Sequence, residues 1–184
     1  MILHRCFAWN ARADHDEADG TLWVPRQFQG EGRHDNPDIY GCLYLADRPL
    51  ACVVEQLAAF RGQRLLASML VRRGLPLALA RVELPHDATL VDLDNPTILK
   101  RERLRPSLVG TRERAITRPQ ALALYRKYPQ AAGIRWWSAW EAQWANCTVF
   151  DRAVRLLRVV DVQPLTPTHP ATQEAADWFG LRAV

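Results

Sequence analysis

The stretch from Gly30 to Gly62 constrains the fold more than any other part of this chain. It opens with a glycine turn that carries a lone arginine, Arg33, and leads through turn-forming residues into the short apolar run Cys42–Leu45. Apolar side chains then recur at the i, i+3, i+4, i+7 spacing that buries one face of a helix: Leu50, Val53, Val54, Leu57 and Ala58. We therefore predict a glycine turn, a short strand and a helix, in that order.

Glu55 is the one acidic residue of this predicted helix. Asp47 is predicted to cap the helix, and Pro49 fits its first turn because proline needs no N–H donor there. On a helical wheel Glu55 lies off the apolar stripe, on a flank that it shares with Ala51 and Ala59. Because these neighbours are small, the carboxylate has room for a ligand beside it.

Several common chemistries are excluded by the sequence. It contains no P-loop and no HExxH, and its single GxG lacks the strand, helix and downstream acid of a dinucleotide fingerprint. Ser138 has no nucleophile elbow around it, which argues against a serine hydrolase. What remains suits attack at an anomeric carbon, where one carboxylate stabilises the positive charge that develops on a sugar.

Five residues with functional potential stand in a fixed order along the chain: Arg5, Arg33, Tyr44, Glu55 and Ser138. Arg33, Tyr44 and Glu55 are spaced eleven residues apart, and Ser138 directly follows the strand-like run Gly133–Trp137. This ordered set resembles the RES domain, a family named for its arginine, glutamate and serine. The resemblance extends from Arg5 to about residue 150.

The resemblance implies a fold and a function. RES domains are similar in fold to the ADP-ribosyltransferases, so an α/β (α+β) single domain is expected, with a split mixed sheet and helices around an NAD cleft. NAD+ is expected as the substrate, with no metal ion. RES proteins are typically the toxin of a bacterial toxin–antitoxin pair. They degrade NAD+ by hydrolysis or phosphorolysis, and an Xre-type DNA-binding antitoxin neutralises them; inorganic phosphate is a second expected ligand.

The resemblance also assigns a role to each of the five residues. Arg5 and Arg33 would hold the NAD diphosphate or an incoming phosphate, and Tyr44 would position the nicotinamide ribose or stack on the ring. Ser138 would hydrogen-bond the nicotinamide side. Glu55 would stabilise the ribosyl cation and orient the acceptor. Glu55, Ser138 and Arg33 are thus the expected catalytic residues, and all five are expected to contact NAD+.

Length and composition indicate one soluble globular domain. The chain has 184 residues, of which 48% are hydrophobic and 24% charged, enough for a substantial core. We predict a single domain over residues 1–184, with its core in 1–162 and a C-terminal helix over 168–180. No apolar run is long enough to cross a membrane and residues 1–10 do not have the basic-then-apolar pattern of a leader, so a cytoplasmic protein is expected. The four scattered cysteines are predicted to be buried, reduced thiols.

Periodicity and turn residues predict the remaining elements. The predicted strands are Ile2–Trp9, Leu77–Leu84, Thr89–Leu93 and Leu156–Val162. The predicted helical segments are Arg64–Arg72, Arg118–Tyr128 and Pro170–Phe179. Thr117 is predicted to cap the second of these helices, and Thr168 or His169 the third, which Gly180 ends.

Three interpretations from different classes stay open at this stage. The first is an NAD+ glycohydrolase or phosphorylase, and the second an ADP-ribosyltransferase that modifies a protein. The third is a catalytically idle domain that binds a partner or nucleic acid, for which the basic run Lys100–Arg118 is the candidate surface. Because no aromatic residues interleave that run, a solvated face is expected there and no direct contact with nucleic acid. The sequence leaves open whether the chain forms a homodimer.

Overall fold

The computed structural model describes residues 1–181 and divides them into two compact units. The first unit contains Met1, Val24–Leu45 and Leu84–Leu157. The second unit contains Ile2–Trp23, Ala46–Glu83 and the chain from Arg158 onward. The last three residues of the predicted domain, 182–184, lie outside the described residues.

The second unit is a small antiparallel sheet with two helices. Strand β1 (Ile2–Ala8) pairs with β4 (Leu75–Glu83), and β4 also pairs with β3 (Val71–Arg72) and with β8 (Arg158–Pro164). Helix α1 (Pro49–Leu57) packs against β1 and against helix α5 (Pro170–Phe179). The apolar residues that these elements bury include Leu3, Phe7, Val53, Val54, Leu57, Ala175 and Phe179.

The first unit combines strands with three further helices. Strand β6 (Gly133–Trp137) pairs antiparallel with β7 (Ala145–Phe150) and parallel with β5 (Leu90–Asp92). The helices are α2 (Pro96–Glu102), α3 (Pro106–Val109) and α4 (Arg114–Lys127). Tyr40, Ile134 and Phe150 are fully buried in the core of this unit, where the Tyr40 and Tyr125 rings stack.

Strand β2 (Cys42–Ala46) belongs to both units by sequence: its first four residues lie in the first unit, and Ala46 lies in the second, where it pairs with His4. The order of hydrogen-bonded strands is β3-β4-β1-β2-β7-β6-β5, with β8 also on β4. The sheet is mixed, because the β5–β6 pair is parallel while pairs such as β1–β4 and β6–β7 are antiparallel; this confirms the predicted α/β class with a mixed sheet.

Most predicted elements are confirmed to within a few residues of their predicted bounds. For α5, both predicted ends are confirmed. Its end at Gly180 is confirmed, since this glycine takes a left-handed conformation with φ +63°. His169 caps the start, because its Nδ1 accepts a hydrogen bond from the Ala171 N–H at 3.2 Å. The four cysteines are free thiols, as predicted, although Cys6 is only half-buried.

Three local predictions are wrong. Arg48, not Asp47, is the N-cap of α1, and no side chain bonds to that helix start. The segment predicted as a helix over Arg64–Arg72 contains only a 3-10 turn, Ala67–Leu70, before β3. Helix α4 begins at Arg114 rather than after a Thr117 cap, because the Thr117 hydroxyl donates to the carbonyl of Arg33 instead.

Among residues 1–181, no helix combines the length and apolarity needed to cross a membrane.

Candidate functional site

The glycine turn of the first unit has two glycines that are needed for different reasons. Gly30 has φ +147°, a backbone conformation that residues with a Cβ rarely adopt. Gly32 is needed for space: a Cβ there would stand 2.5 Å from both Asp35 Oδ1 and the Tyr44 hydroxyl oxygen. The turn therefore packs directly onto two polar side chains, which the sequence interpretation had left open.

Asp35 closes this turn. Its Oδ2 accepts hydrogen bonds from the N–H groups of Gly30 at 2.8 Å and Gly32 at 2.6 Å. Its Oδ1 accepts the hydroxyl proton of Tyr44 at 2.7 Å. The side chain is buried, so these charge-assisted bonds are made away from water, where they are strongest. Asp35 thus fixes both the backbone beside Arg33 and the position of Tyr44.

Tyr44 is held from two sides. Besides donating to Asp35, its hydroxyl oxygen accepts a hydrogen bond from the His34 backbone N–H at 2.9 Å. Burial, followed by the neighbouring Cys42 and Asp35, raises the pKa of Tyr44 well above its usual value. The phenol is therefore neutral, with its proton committed to Asp35. Of the two roles expected for Tyr44, stacking on a ring is the one that leaves this arrangement intact.

Arg33 is buried, and its side chain hydrogen-bonds the end of helix α3 and the loop between helices α3 and α4 of the same unit. Its Nη1 donates to the carbonyl of Val109 at 2.7 Å and also to that of Thr111. The guanidinium lies over the ring of Trp136, with Cζ 4.4 Å from the ring centroid. Arg33 is thus oriented before any ligand arrives, and part of its donor capacity serves the Val109–Thr111 backbone.

The start of helix α4 clamps the loop that carries Arg33. Thr117 Oγ1 donates to the Arg33 carbonyl at 2.6 Å, and Arg114 Nε donates to the Glu31 carbonyl at 2.9 Å. In return, Asn36 Nδ2 donates to the Arg118 carbonyl at 3.2 Å. Hydrogen bonds therefore join the glycine turn, here called the glycine loop (residues 30–36), to the first turns of α4.

His34 lies buried beneath Arg33 as a neutral imidazole. Its Nδ1 is 2.8 Å from Thr148 Oγ1, which also accepts the indole N–H of Trp136 at 3.2 Å. Burial, then the positive charges of Arg33 and Arg114, lowers the pKa of His34 to about 3. His34 therefore adds no further positive charge beside Arg33 and Arg114 at neutral pH.

Ser138 directly follows strand β6, as predicted. It is buried; its N–H donates to the Trp144 carbonyl at 2.9 Å, and its Oγ accepts the Trp140 N–H at 3.1 Å. The guanidinium of Arg112 stacks on the Trp140 ring, with its Cζ 3.9 Å from the ring centroid. Ser138 thus lies in a tryptophan-rich turn at the end of the strand whose Trp136 covers Arg33.

Arg5 and Glu55 belong to the second unit. Arg5 is buried in β1 and donates to the carbonyls of Thr21 and Trp23, the latter at 3.1 Å. Its guanidinium also lies over the Phe7 ring, 4.7 Å from the centroid. Arg5 therefore holds the segment that follows the first polar loop.

Glu55 is exposed on α1, whereas its neighbour Val54 is fully buried. The helix is fixed to β1 by its apolar face and by Cys52, whose thiol donates to the His4 carbonyl at 3.0 Å. The predicted off-stripe position of Glu55 is confirmed. Its carboxylate is accessible on a helix that cannot easily shift.

Within the first unit, Arg33 and Tyr44 join one network through His34 and Asp35. Sequence analysis missed the roles of Asp35, His34 and Thr117; for His34 and Thr117 the reason is that their partners, Thr148 and the Arg33 carbonyl, are brought close only by the fold. One signal existed for Asp35: a carboxylate shortly after a glycine pair often bonds the N–H groups of the turn. In residues 1–181, no group of three or more histidine, cysteine or acidic side chains could hold a metal ion.

Comparisons with known proteins agree with this architecture. The model of the RES domain family matches residues 3–178, and the chain therefore belongs to the RES domain family. Among solved structures, it is similar to a chain of the M. tuberculosis MbcT–MbcA toxin–antitoxin complex. The TM-score is 0.66, with 20% identity over 95% of this chain and 88% of the other, a likeness that shows the fold. A search of curated proteins gave no match.

Proposed function

We propose that this chain is an NAD+-consuming enzyme that cleaves the bond between nicotinamide and ribose, with water or phosphate as acceptor. Membership of the RES family supports the substrate. The likeness to a chain from a toxin–antitoxin complex supports a role as the toxin of such a pair. On this proposal the chain acts in the cytoplasm, and its partner is an Xre-type DNA-binding antitoxin.

The observation that carries the proposal is the exposed carboxylate of Glu55 on a firmly packed helix. Breaking the nicotinamide–ribose bond builds positive charge on the sugar, and an oriented carboxylate stabilises that charge. Nicotinamide leaves as a neutral molecule, so a general acid is not required. One glutamate, together with residues that hold the substrate rigidly, is therefore sufficient to cleave this bond.

The network around Arg33 supports the binding frame. Asp35 and the first turns of α4 hold the glycine loop, and Trp136 covers one face of the guanidinium. A binding group that is already oriented loses little entropy when the ligand arrives. In this proposal Arg33 and Arg5 supply positive charge to the diphosphate or an incoming phosphate, Tyr44 packs against the nicotinamide ribose or ring, and Ser138 hydrogen-bonds the nicotinamide side.

Product analysis tests the reaction and identifies the acceptor. The purified chain is incubated with NAD+ in buffers with and without inorganic phosphate, and the products are identified by mass. Nicotinamide with ADP-ribose indicates hydrolysis, and nicotinamide with phosphorylated ADP-ribose indicates phosphorolysis. Unchanged NAD+ in both buffers would contradict both reactions. A protein acceptor, as in the transferase alternative, would then be sought by the transfer of labelled ADP-ribose.

A further inference from the structure

Positive charge is concentrated in the segment of the first unit that contains helices α2, α3 and α4. Residues 96–127 carry nine basic and two acidic side chains, a net charge of +7. The whole chain has 24 basic and 20 acidic residues, which leaves fifteen basic and eighteen acidic elsewhere, a net charge of −3. The asymmetry is therefore within the chain and does not follow from a general preference for arginine. We call the basic side chains of residues 96–127 the basic surface.

Intramolecular roles account for only part of the basic surface. Glu102 forms ion pairs with both Arg101 and Lys127. Arg114 and Arg118 donate hydrogen bonds to the backbone carbonyls of Glu31 and Gly32 in the glycine turn. Cations in the last turn of a helix also favour the helix dipole.

Four exposed basic side chains are not neutralised by such contacts, although Lys100 and Arg126 lie in the last turns of α2 and α4, where they favour the helix dipole. Within residues 1–181, Lys100, Arg103, Arg105 and Arg126 make no side-chain hydrogen bond or ion pair. Arg103 and Arg105 lie in the connection between α2 and α3, beyond the last turn of α2. Like charges placed together without counter-charges repel each other, and an anionic partner would relieve that repulsion.

The aromatic rings beside the basic surface indicate which class of anion fits. Single-stranded nucleic acids bind basic grooves with their bases stacked on open aromatic faces. Here Arg112 lies over the Trp140 ring at 3.9 Å, and Arg101 and Lys127 lie over the Tyr128 ring at 5.3 and 5.7 Å. These faces already carry cations. A carboxylate-rich protein segment needs no stacking and matches the arginine fork by paired hydrogen bonds.

We infer that the basic surface is a docking site for an acidic, extended segment of a partner protein. Lys100, Arg103 and Arg105 supply its unneutralised charges. The inference does not depend on NAD+ turnover, since it uses none of the five residues proposed to act on NAD+.

The test uses the full chain and a fluorescein-labelled decaglutamate peptide, with binding followed by fluorescence anisotropy. We expect saturable binding at 50 mM salt that weakens roughly tenfold or more at 200 mM, because exposed charges are screened. The triple variant Lys100→Glu/Arg103→Glu/Arg105→Glu is expected to bind roughly tenfold more weakly or worse.

A matched triple, Arg61→Glu/Arg64→Glu/Arg155→Glu, makes the same change in net charge at exposed sites outside residues 96–127, and should weaken binding less than about threefold. The double variant Arg103→Gln/Arg105→Gln removes charge without adding acids and covers the case in which the first triple fails to fold. Absence of binding at 50 mM salt, equal losses in the two triples, or tighter binding of a single-stranded decanucleotide would each overturn the inference.

Discussion

Asp35 is the side chain on which the glycine turn and Tyr44 both depend. Its two oxygens accept hydrogen bonds from the Gly30 and Gly32 N–H groups, the Tyr44 hydroxyl and the Cys42 thiol in a buried setting. Replacing it with alanine leaves two backbone donors and the Tyr44 hydroxyl without their acceptor. We expect Asp35→Ala to lower the free energy of unfolding by about 3 kcal/mol, measured by urea denaturation, because each lost buried partner is costly.

Asp35→Asn is the matched control for this prediction. Its amide oxygen can still accept from the glycine N–H groups, although the amide nitrogen cannot accept from Tyr44. We expect about half of the loss seen with alanine. A stability of Asp35→Ala equal to that of the wild type would show that the turn is held by other contacts.

His34 makes stability depend on pH. Its pKa is about 3 in the folded protein, against an ordinary value of 6.5, so the unfolded chain binds a proton that the folded chain rejects. The stabilisation is fully present above pH 6.5 and is lost as the pH falls towards 3. At pH 5 the loss from this residue should be about 2 kcal/mol relative to pH 7.

Urea unfolding at pH 7 and pH 5 measures this effect, with His34→Gln as the comparison. The pKa of His4 is also lowered by burial, so only the difference between wild type and variant isolates His34. We expect a smaller decrease in stability between the two pH values in the variant. If the free energy of unfolding fell equally in the two proteins between pH 7 and pH 5, the folded protein would protonate His34 as readily as the unfolded chain does, which would contradict the prediction.

At the scale of elements, helix α4 stabilises the glycine loop through Thr117. The hydroxyl donates to the Arg33 carbonyl at 2.6 Å in a buried position. Valine has nearly the same shape and no hydroxyl, so Thr117→Val leaves that carbonyl unsatisfied. We expect the free energy of unfolding to fall by about 1–2 kcal/mol, with faster amide exchange in residues 30–36.

Thr172 in α5 offers a matched comparison. It is also a buried helical threonine, but within the described residues its hydroxyl has no hydrogen-bond partner. Thr172→Val should therefore leave stability unchanged or raise it by up to about 1 kcal/mol. Equal losses in the two variants would indicate a packing effect rather than the loss of a specific hydrogen bond.

The elements also differ in how far the sequence could predict them. Helices α1 and α5 were predictable because their apolar stripes agree with their tertiary environment, and for α5 the end signals agree as well. The start of α4 was not predictable, because Thr117 looks like a cap and Pro119 like a first-turn residue. Contacts with the glycine loop, 82 to 86 residues away in the chain, determine the outcome.

At the scale of the whole molecule, the family and the mixed fold were predictable from five ordered residues. The surroundings of those residues were not. The commitment of Arg33 to the Val109 and Thr111 carbonyls depends on a loop 76 to 78 residues away, and no local spacing encodes it. Sequence reasoning thus proposed which residues carry the chemistry, whereas the fold shows which contacts hold Arg33 and Tyr44 in place.

The central claim is that the carboxylate of Glu55 drives cleavage of NAD+, and turnover by three proteins tests it most directly. The wild type, Glu55→Gln and Glu174→Gln are compared at equal concentration; Glu174 is an exposed glutamate on another helix of the second unit. We predict that Glu55→Gln folds normally but loses turnover by a factor of roughly 100 or more, while Glu174→Gln keeps it. Wild-type turnover in a folded Glu55→Gln protein would contradict the account.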